Sequence, residues 1–157
     1  MKISLVGYMA AGKSTLGRAL AELLGLPFKD LDQLIEARSG SSVSELIFNK
    51  GELYFRNLER EVLQEVLKEQ QFVLALGGGT PCYFDNMELL NSQSVTVYLE
   101  RSIADLFGVL AIDRRERPLI AHLAEADLKE FIAKHLFERR EYYEKAIFKI
   151  PQEQKSL

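Results

Sequence analysis

Short apolar runs alternate along the chain with segments in which apolar residues recur at the spacing of a helix. Three runs have the length and composition of buried parallel strands: KISLVG from residue 2, FVLALGGG from residue 72 and SVTVYLE from residue 94. Two shorter extended pieces are predicted within PFKDLD, from residue 27, and AIFKI, from residue 146. Segments of a different periodicity separate these strands.

Helical periodicity fills the intervening segments. The first helix ends at Gly25 and is marked by Leu16, Ala19, Leu20, Leu23 and Leu24. Others are predicted around Leu34 to Ala37, in SSVSELIFNKG, after Glu52, in SIADLFGVLA and from Leu128 to Leu136. Because strands alternate with helices, we expect an α/β fold with a parallel sheet covered on both faces. Ligands bind at the carboxyl ends of the strands in such sheets, which here carry residues 7–14, 30–32 and 77–79.

The first of these strand ends has the spacing of a phosphate-binding loop. In GYMAAGKST, four residues separate Gly7 from the run Gly12, Lys13 and Ser14, between a predicted strand and a predicted helix. Successive backbone N–H groups and a helix N-terminus can hold a phosphate chain, the lysine reaches its outer phosphates, and the hydroxyl after it ligates Mg²⁺. The alternative is an ordinary glycine-containing turn. The motif predicts nucleotide binding but does not name the phosphate acceptor.

Composition narrows the class of protein. The 157 residues fit one domain with a substantial core. A net charge of -3 and a pI near 5.5 argue against nucleic-acid binding. Cys82 is the single cysteine, so no internal disulfide is expected, and no apolar run is long enough for a membrane span. Met1 leads directly into a strand rather than a signal peptide, which predicts a cytoplasmic protein.

Two pairs of charged residues are further candidates for the site. Asp30 and Asp32 follow the second extended piece, where alternate residues of an extended segment would point the same way. One carboxylate could serve a hydrated metal and the other accept a proton, or both could be a solvated pair at a helix start. Arg56 and Glu59 share a helical face, where a surface ion pair is the alternative.

Three glycines, Gly77 to Gly79, end the strand that begins at Phe72. Such a run loses conformational entropy on folding, which favours a place where the backbone approaches another group closely.

Together these segments resemble the shikimate kinase family over nearly the whole chain. The matching stretches, in the family's order, are GYMAAGKST, FKDLDQLIEARSGSSVSELIFNKGELYFRNLE, VLALGGGT, RPLI and RREYYEKA. The resemblance implies a single three-layer α/β/α kinase domain over residues 1–157, of the nucleoside-monophosphate-kinase-like type. It also implies a five-stranded parallel sheet, a mobile lid at about residues 110–120 and a monomer. The implied reaction transfers the γ-phosphate of ATP to the 3-hydroxyl of shikimate, on the route to chorismate and the aromatic amino acids.

The resemblance also implies roles for residues on the nucleotide side. ATP would be held by the phosphate loop and lid, through Ala10, Ala11, Gly12, Lys13, Ser14, Thr15 and Arg117. Lys13 would steady the outer phosphates, and Arg117 of the lid would reach over them. Mg²⁺ would be bound by Ser14 and, through water, by Asp30.

On the acceptor side, the resemblance implies that Asp32 binds the shikimate hydroxyls and acts as a base or orienting group. Gly77, Gly78 and Gly79 would line the substrate, with Gly78 presenting its backbone. Arg56, held by Glu59, would pair with the shikimate carboxylate.

A second carboxylate-binding arginine is implied in RREYY. Neighbouring helical residues point about 100° apart, so one of Arg139 and Arg140 is expected at the substrate. The family's spacing to Tyr143 selects Arg139. The alternative is that both arginines are solvated and pair with Glu138, Glu141 or Glu144.

Two features depart from the family pattern. Ala10 stands where the loop usually has glycine, and alanine fits only if its φ is negative. The arginine expected before the lid, which lies against adenine in relatives, is absent, and Val109 or Leu110 occupies that region. Arg114 or Arg115 could substitute for it, or packing there is purely apolar. His122 and His135 match no motif, and we expect both to face solvent.

Two other functions fit parts of the pattern. A kinase of the same fold could phosphorylate another hydroxylated acid, such as gluconate, but the two arginines and the glycine run favour shikimate. A nucleotide-binding switch would share the phosphate loop but would lack the second, carboxylate-binding pocket.

Overall fold

The computed structural model describes residues 1–113 and 120–151. In this part of the chain, five strands form one parallel sheet in the order β2-β3-β1-β4-β5. The strands are β1 (Lys2–Val6), β2 (Phe28–Asp30), β3 (Phe72–Ala75), β4 (Val95–Leu99) and β5 (Phe148–Ile150). The predicted five-stranded parallel sheet is therefore confirmed, with β1 at its centre.

Helices connect the strands. They are α1 (Lys13–Leu24), α2 (Leu31–Ser39), α3 (Val43–Lys50), α4 (Glu52–Leu67), α5 (Asn86–Gln93), α6 (Ile103–Asp113) and α7 (Glu125–Tyr143). A short 3-10 helix, Thr80–Cys82, follows the glycine run. Among the described residues, no helix has the length and apolar character to cross a bilayer.

The core lies on both faces of the sheet. The larger cluster packs β1, β3 and β4 against α4, α5, α6 and α7, and the smaller one lies beneath α1. Pairing of Leu5 with Ala75 and of Val6 with Tyr98 brings the carboxyl ends of β1, β3 and β4 to one edge of the sheet. This edge is where the candidate residues meet.

The buried face of α1 differs from the predicted leucine stripe. Leu23 is 83% exposed, whereas Gly17 and Ala21 are buried against the sheet. A Cβ on Gly17 would lie 2.6 Å from the ring of Phe28, so only a residue without a side chain lets the helix come this close. Small size, rather than hydrophobicity, therefore determines which face of α1 is buried.

The predicted lid begins inside α6, where Leu110 is fully buried. Its remaining residues from 114 to 119, which include Arg114, Arg115 and Arg117, lie outside the described residues.

Candidate active site

The phosphate loop connects β1 to α1 as predicted, and the lysine side chain folds back across it. Gly12 forms the N-cap of α1 with a φ of 93°, a left-handed conformation that favours glycine. Lys13 is buried, and its Nζ donates hydrogen bonds to the carbonyl oxygens of Gly7 at 2.5 Å and Tyr8 at 2.9 Å. A cation is thus fixed at the mouth of a helix N-terminus, where phosphates bind readily.

Ala10 does not have the negative φ that its alanine side chain was expected to require. Its φ is 65°, in the left-handed region. A non-glycine residue in that region is strained by the contact between its Cβ and the backbone. The loop therefore adopts a conformation suited to glycine although it carries alanine.

Ser14 and Asp30 lie side by side at the end of β2. The Ser14 hydroxyl donates to Oδ2 of Asp30 at 3.0 Å, and Oδ1 of Asp30 accepts from the backbone N–H of Gln33. These oxygens suit Mg²⁺, which usually takes only one or two protein ligands and completes its octahedral shell with water and substrate phosphate. The described residues include no cluster of three metal-binding side chains. The Ser14 and Asp30 oxygens therefore fit a magnesium ion that takes few protein ligands.

Asp32 does not lie in the extended segment where it was expected. Asp30 ends β2 and caps α2, so Asp32 occupies the first turn of that helix. Burial, with the negative charges of Asp30 and Glu59, raises the pKa of Asp32 to about 6, although Lys13 opposes the shift. A carboxylate with a pKa closer to neutrality is better suited to accept a proton than an ordinary aspartate.

A cavity of about 150 Å³ joins these groups. Its lining is drawn from the phosphate loop, from the Asp30–Asp32 turn and from the end of β3, through Ala10, Ala11, Lys13, Ser14, Asp30, Asp32, Leu76, Gly77 and Gly78. The three strand ends that the sequence singled out therefore converge on one space.

Two glycines of the run make room for charged side chains. A Cβ on Gly77 would lie 3.0 Å from Oδ1 of Asp32, and a Cβ on Gly79 would lie 2.6 Å from Nη2 of Arg56. These separations are shorter than ordinary van der Waals contact, so a larger residue would displace the carboxylate or the guanidinium. The close approach expected of the run is thus to charged side chains of the chain itself.

The middle glycine faces α7. A Cβ on Gly78 would lie 3.3 Å from Nη1 of Arg139, and the hydroxyl of Tyr143 donates to the Gly78 carbonyl oxygen at 2.5 Å. Arg140 is exposed instead and lies 3.5 Å from Glu144. The structure therefore places Arg139 beside the glycine run and Arg140 in solvent.

Arg56 and Glu59 form a buried pair rather than a surface one. Arg56 is 9% exposed and Glu59 is 1% exposed, and Nη1 of Arg56 lies 3.0 Å from Oε1 of Glu59. The second Glu59 oxygen accepts from the hydroxyl of Thr80 at 2.8 Å. Burial opposes the charge on Arg56, yet Glu59 holds its pKa above the ordinary value, so the guanidinium remains charged.

Tyr83 is a site residue that the sequence motifs did not indicate. The guanidinium of Arg56 stacks over its ring with 4.0 Å to the ring centre, and its hydroxyl donates to Glu52 at 2.7 Å. Nε of Arg56 has no hydrogen-bond partner among the described residues, since Glu52 is 3.7 Å away. An aromatic residue in the turn after the glycine run was the available sequence signal.

A larger cleft of about 720 Å³ adjoins the phosphate loop between α1 and α6. Its lining is mostly small or apolar, with Ala10, Gly12, Thr15, Leu16, Ala19, Arg101, Ala104, Asp105, Leu106, Gly108 and Val109. The cleft has the form of a nucleotide site next to a phosphate cradle. Arg101 contributes a cation that motif analysis missed, because it follows β4 outside any motif.

His135 does not face solvent as expected, whereas His122 does. Nδ1 of His135 lies 2.9 Å from the hydroxyl of Tyr8, and its ring contacts Phe131. Burial, with the nearby charge of Arg139, lowers the pKa of His135 to about 4. The imidazole is therefore neutral near pH 7, and α7 contacts the phosphate loop through it.

Comparison with known proteins gives the family. Residues 9–157 match the model of the family described as shikimate kinase. The chain belongs to the shikimate kinase family. It is 44% identical to the shikimate kinase of Flavobacterium johnsoniae, over 99% of this chain and 92% of that protein.

Solved shikimate kinases have the same fold. The crystal structure of the enzyme from Bacteroides thetaiotaomicron matches with a TM-score of 0.94 and 39% identity, over 100% of this chain and 89% of that one. The Acinetobacter baumannii shikimate kinase in complex with shikimate matches with a TM-score of 0.85 and 36% identity, over 95% and 82% of the two chains. The family predicted from the sequence motifs is thus confirmed.

Proposed function

We propose that this member of the shikimate kinase family transfers the γ-phosphate of ATP to the 3-hydroxyl of shikimate, giving ADP and shikimate 3-phosphate. The observation that carries the proposal is the cavity in which Lys13 and Ser14 meet Asp32 and the glycine run. Phosphoryl transfer requires positioning and charge stabilisation more than covalent chemistry, and this cavity places a cation, a carboxylate and backbone donors around one small space.

On the nucleotide side, the loop residues Ala10 to Thr15 would surround the phosphates of ATP, with backbone N–H groups of the loop as donors. Lys13 would carry the cationic charge next to the transferred group. The base would occupy the cleft between α1 and α6. Arg117 would reach over the phosphates from the lid, and closure of the lid would exclude water as a competing acceptor.

Magnesium would be held by Ser14 and, through water, by Asp30, whose oxygens are adjacent. When bound, it would neutralise phosphate charge and help to orient the transferred group.

On the acceptor side, Asp32 would accept or orient the proton of the attacking hydroxyl. Gly77, Gly78 and Gly79 would line the acceptor because they keep the backbone and charged groups close to it. Arg56 and Arg139 would bind the carboxylate, since planar guanidinium groups offer paired donors for two carboxylate oxygens. This arrangement distinguishes an acidic acceptor from a neutral sugar.

The buried Arg56–Glu59 pair also supports a second pocket, which a nucleotide-binding switch would not need. We include a monomeric state, a single domain over residues 1–157 and a cytoplasmic location in the proposal, on the sequence grounds given above.

A coupled assay of ADP release tests the proposal. The purified chain would be supplied with ATP and Mg²⁺, and with shikimate, gluconate or no acceptor. We expect ADP release to depend on shikimate. Equal release of ADP with and without an acceptor would contradict the proposal. ADP release that depends on gluconate and not on shikimate would indicate a different substrate.

A further inference from the structure

Arg101 reaches the phosphate loop from a different element, the segment that follows β4. Strands β1 and β4 pair in parallel, with Val6 opposite Tyr98, so both end at the same edge of the sheet. A Cβ on Gly7 would lie only 3.0 Å from the carbonyl oxygen of Leu99. A side chain two residues beyond the end of β4 is therefore placed directly beside the loop.

The side chain of Arg101 contacts the backbone of the loop. Nε donates a hydrogen bond to the carbonyl oxygen of Ala11 at 3.0 Å, and Nη2 lies 3.3 Å from the position that a Cβ on Gly12 would occupy. Carbonyl and N–H groups of one trans peptide point in opposite directions. A hydrogen bond to the Ala11 carbonyl oxygen therefore also restrains the direction of the Gly12 N–H, which belongs to the same peptide.

The same guanidinium has further donors. Among residues 1–113 and 120–151, its one hydrogen bond is made by Nε, so Nη1 and Nη2 remain for another acceptor. Arg101 is half-buried and lines the cleft between α1 and α6 together with Gly12 and Thr15. Because Nε is bound to the loop and Nη2 lies next to Gly12, the terminal nitrogens are well placed to donate to phosphate oxygens.

We propose that Arg101 is a nucleotide-binding residue of this chain, which contacts the phosphates of ATP with its terminal nitrogens and orients the Ala11–Gly12 peptide with Nε. The inference rests on the proposed function for its nucleotide. Arg101 lines the cleft between α1 and α6 and not the cavity that holds Asp32, so its removal should change nucleotide affinity and not the acceptor. Ala10 has a strained left-handed conformation, and the hydrogen bond from Arg101 holds the carbonyl group of the next residue, Ala11.

The test compares the binding of ADP and adenosine by calorimetry in Arg101→Ala, Arg101→Lys and the parent chain, without shikimate. A charge-assisted contact predicts that Arg101→Ala weakens ADP on the order of 10- to 100-fold while adenosine binding is unchanged. Arg101→Lys restores the charge without the Nε contact and should recover only part of the affinity. Arg140→Ala, which removes an exposed arginine outside the cleft, is the matched control and should bind ADP as the parent does.

Two outcomes would overturn the inference. One is ADP affinity in Arg101→Ala equal to that of the parent, and the other is an equal loss for ADP and adenosine, which would indicate a packing defect or contact with the base. Thermal unfolding of the unliganded variants checks that the fold is intact. A parent chain that binds ADP but shows no shikimate-dependent turnover would contradict the proposed acceptor and leave the role of Arg101 standing.

Discussion

The guanidinium of Arg56 fills the space that a side chain on Gly79 would need, with Nη2 only 2.6 Å from the position of a Cβ there. Gly79 itself has a φ of -94°, which any residue adopts without strain. The requirement for glycine therefore comes from Arg56 and not from the backbone. Because Arg56 is also held by Glu59 and stacked on Tyr83, it has little freedom to move aside.

Gly79→Ala tests this relationship. We expect the added methyl group to push Arg56 off its position, which raises the KM for shikimate about tenfold or more and lowers the free energy of unfolding by roughly 1–3 kcal/mol. The KM for ATP should change little, because Arg56 lies outside the nucleotide cleft. Steady-state kinetics with each substrate varied in turn would measure both constants. An unchanged KM for shikimate would show that Arg56 does not bind it.

Asp32→Asn keeps the shape of the side chain beside Gly77 but removes the proton acceptor. If Asp32 is a general base, kcat should fall on the order of 10²- to 10⁴-fold. If the transition state of phosphoryl transfer is largely dissociative, positioning of the hydroxyl matters more than removal of its proton, and the decrease in kcat should be smaller. Asp127→Asn, which changes an exposed carboxylate in the first turn of α7, is the control. Kinetic constants of Asp32→Asn close to those of the parent would remove Asp32 from the site.

Arg139 and Arg140 are adjacent on α7 but have different surroundings, so they should respond differently to removal. Arg139 lies beside Gly78, and Arg140 is exposed near Glu144. Loss of one partner of a desolvated charge pair costs roughly 2–5 kcal/mol, whereas a surface pair contributes about 1 kcal/mol or less. We expect Arg139→Ala to raise the KM for shikimate about thirtyfold or more and to spare the KM for ATP.

Arg140→Ala provides the matched control and should change neither constant. A raised KM for shikimate in Arg140→Ala and an unchanged one in Arg139→Ala would show that Arg140 binds the carboxylate instead. No effect in either variant would leave Arg56 as the arginine that binds the carboxylate.

The strands and the phosphate loop could be predicted because their signals are local. A buried strand is a short apolar run, and a phosphate loop needs glycine, lysine and a hydroxyl at fixed spacing. The buried face of α1 could not be predicted in this way. Gly17 must be small because the ring of Phe28, on a neighbouring strand, leaves no room for a side chain, and that contact depends on the assembled sheet.

Contacts between distant segments explain the other differences at the site. Tyr83 and Arg101 lie in turns without a motif, and they reach the site because β3 and β4 end at the same edge of the sheet as β1. His135 was expected in solvent, since nothing in its helix indicates that Tyr8, 127 positions earlier, lies against it. Such pairs are set by the packing of α7 on the loop.

Ala10→Gly should stabilise the protein. The left-handed conformation costs a non-glycine residue roughly 1–2 kcal/mol, and the greater freedom of glycine in the unfolded chain offsets about 0.5–1 kcal/mol of the gain. We therefore expect the free energy of unfolding to rise by up to about 1.5 kcal/mol in denaturant titrations. Ala37→Gly, in an exposed part of α2, is the control and should lose about 1 kcal/mol. An equal decrease in the free energy of unfolding of both variants would show that Ala10 is not strained.

His135 should make stability depend on pH in acid. Its pKa is lowered to about 4 in the folded protein by burial and by Arg139, while an exposed histidine titrates near 6.5. Between these values the unfolded chain binds more protons than the folded one, so the contribution of His135 is complete above about pH 6.5 and is lost as the pH falls towards 4. The Tyr8 hydroxyl at Nδ1 can accept from the protonated ring as well as donate to the neutral one, so the lowered pKa comes from burial and from Arg139 and not from this contact.

His135→Asn keeps an acceptor near the position of Nδ1 but does not titrate. We expect its free energy of unfolding, measured by urea titration from pH 4 to pH 7, to fall less steeply in acid than that of the parent. His122→Asn, at an exposed position, should retain the parent's dependence and so separates this contribution from the protonation of carboxylates. Parallel curves for the parent and His135→Asn would mean that the ring is protonated without loss of its contact to Tyr8, and the neutral link between α7 and the phosphate loop would be excluded.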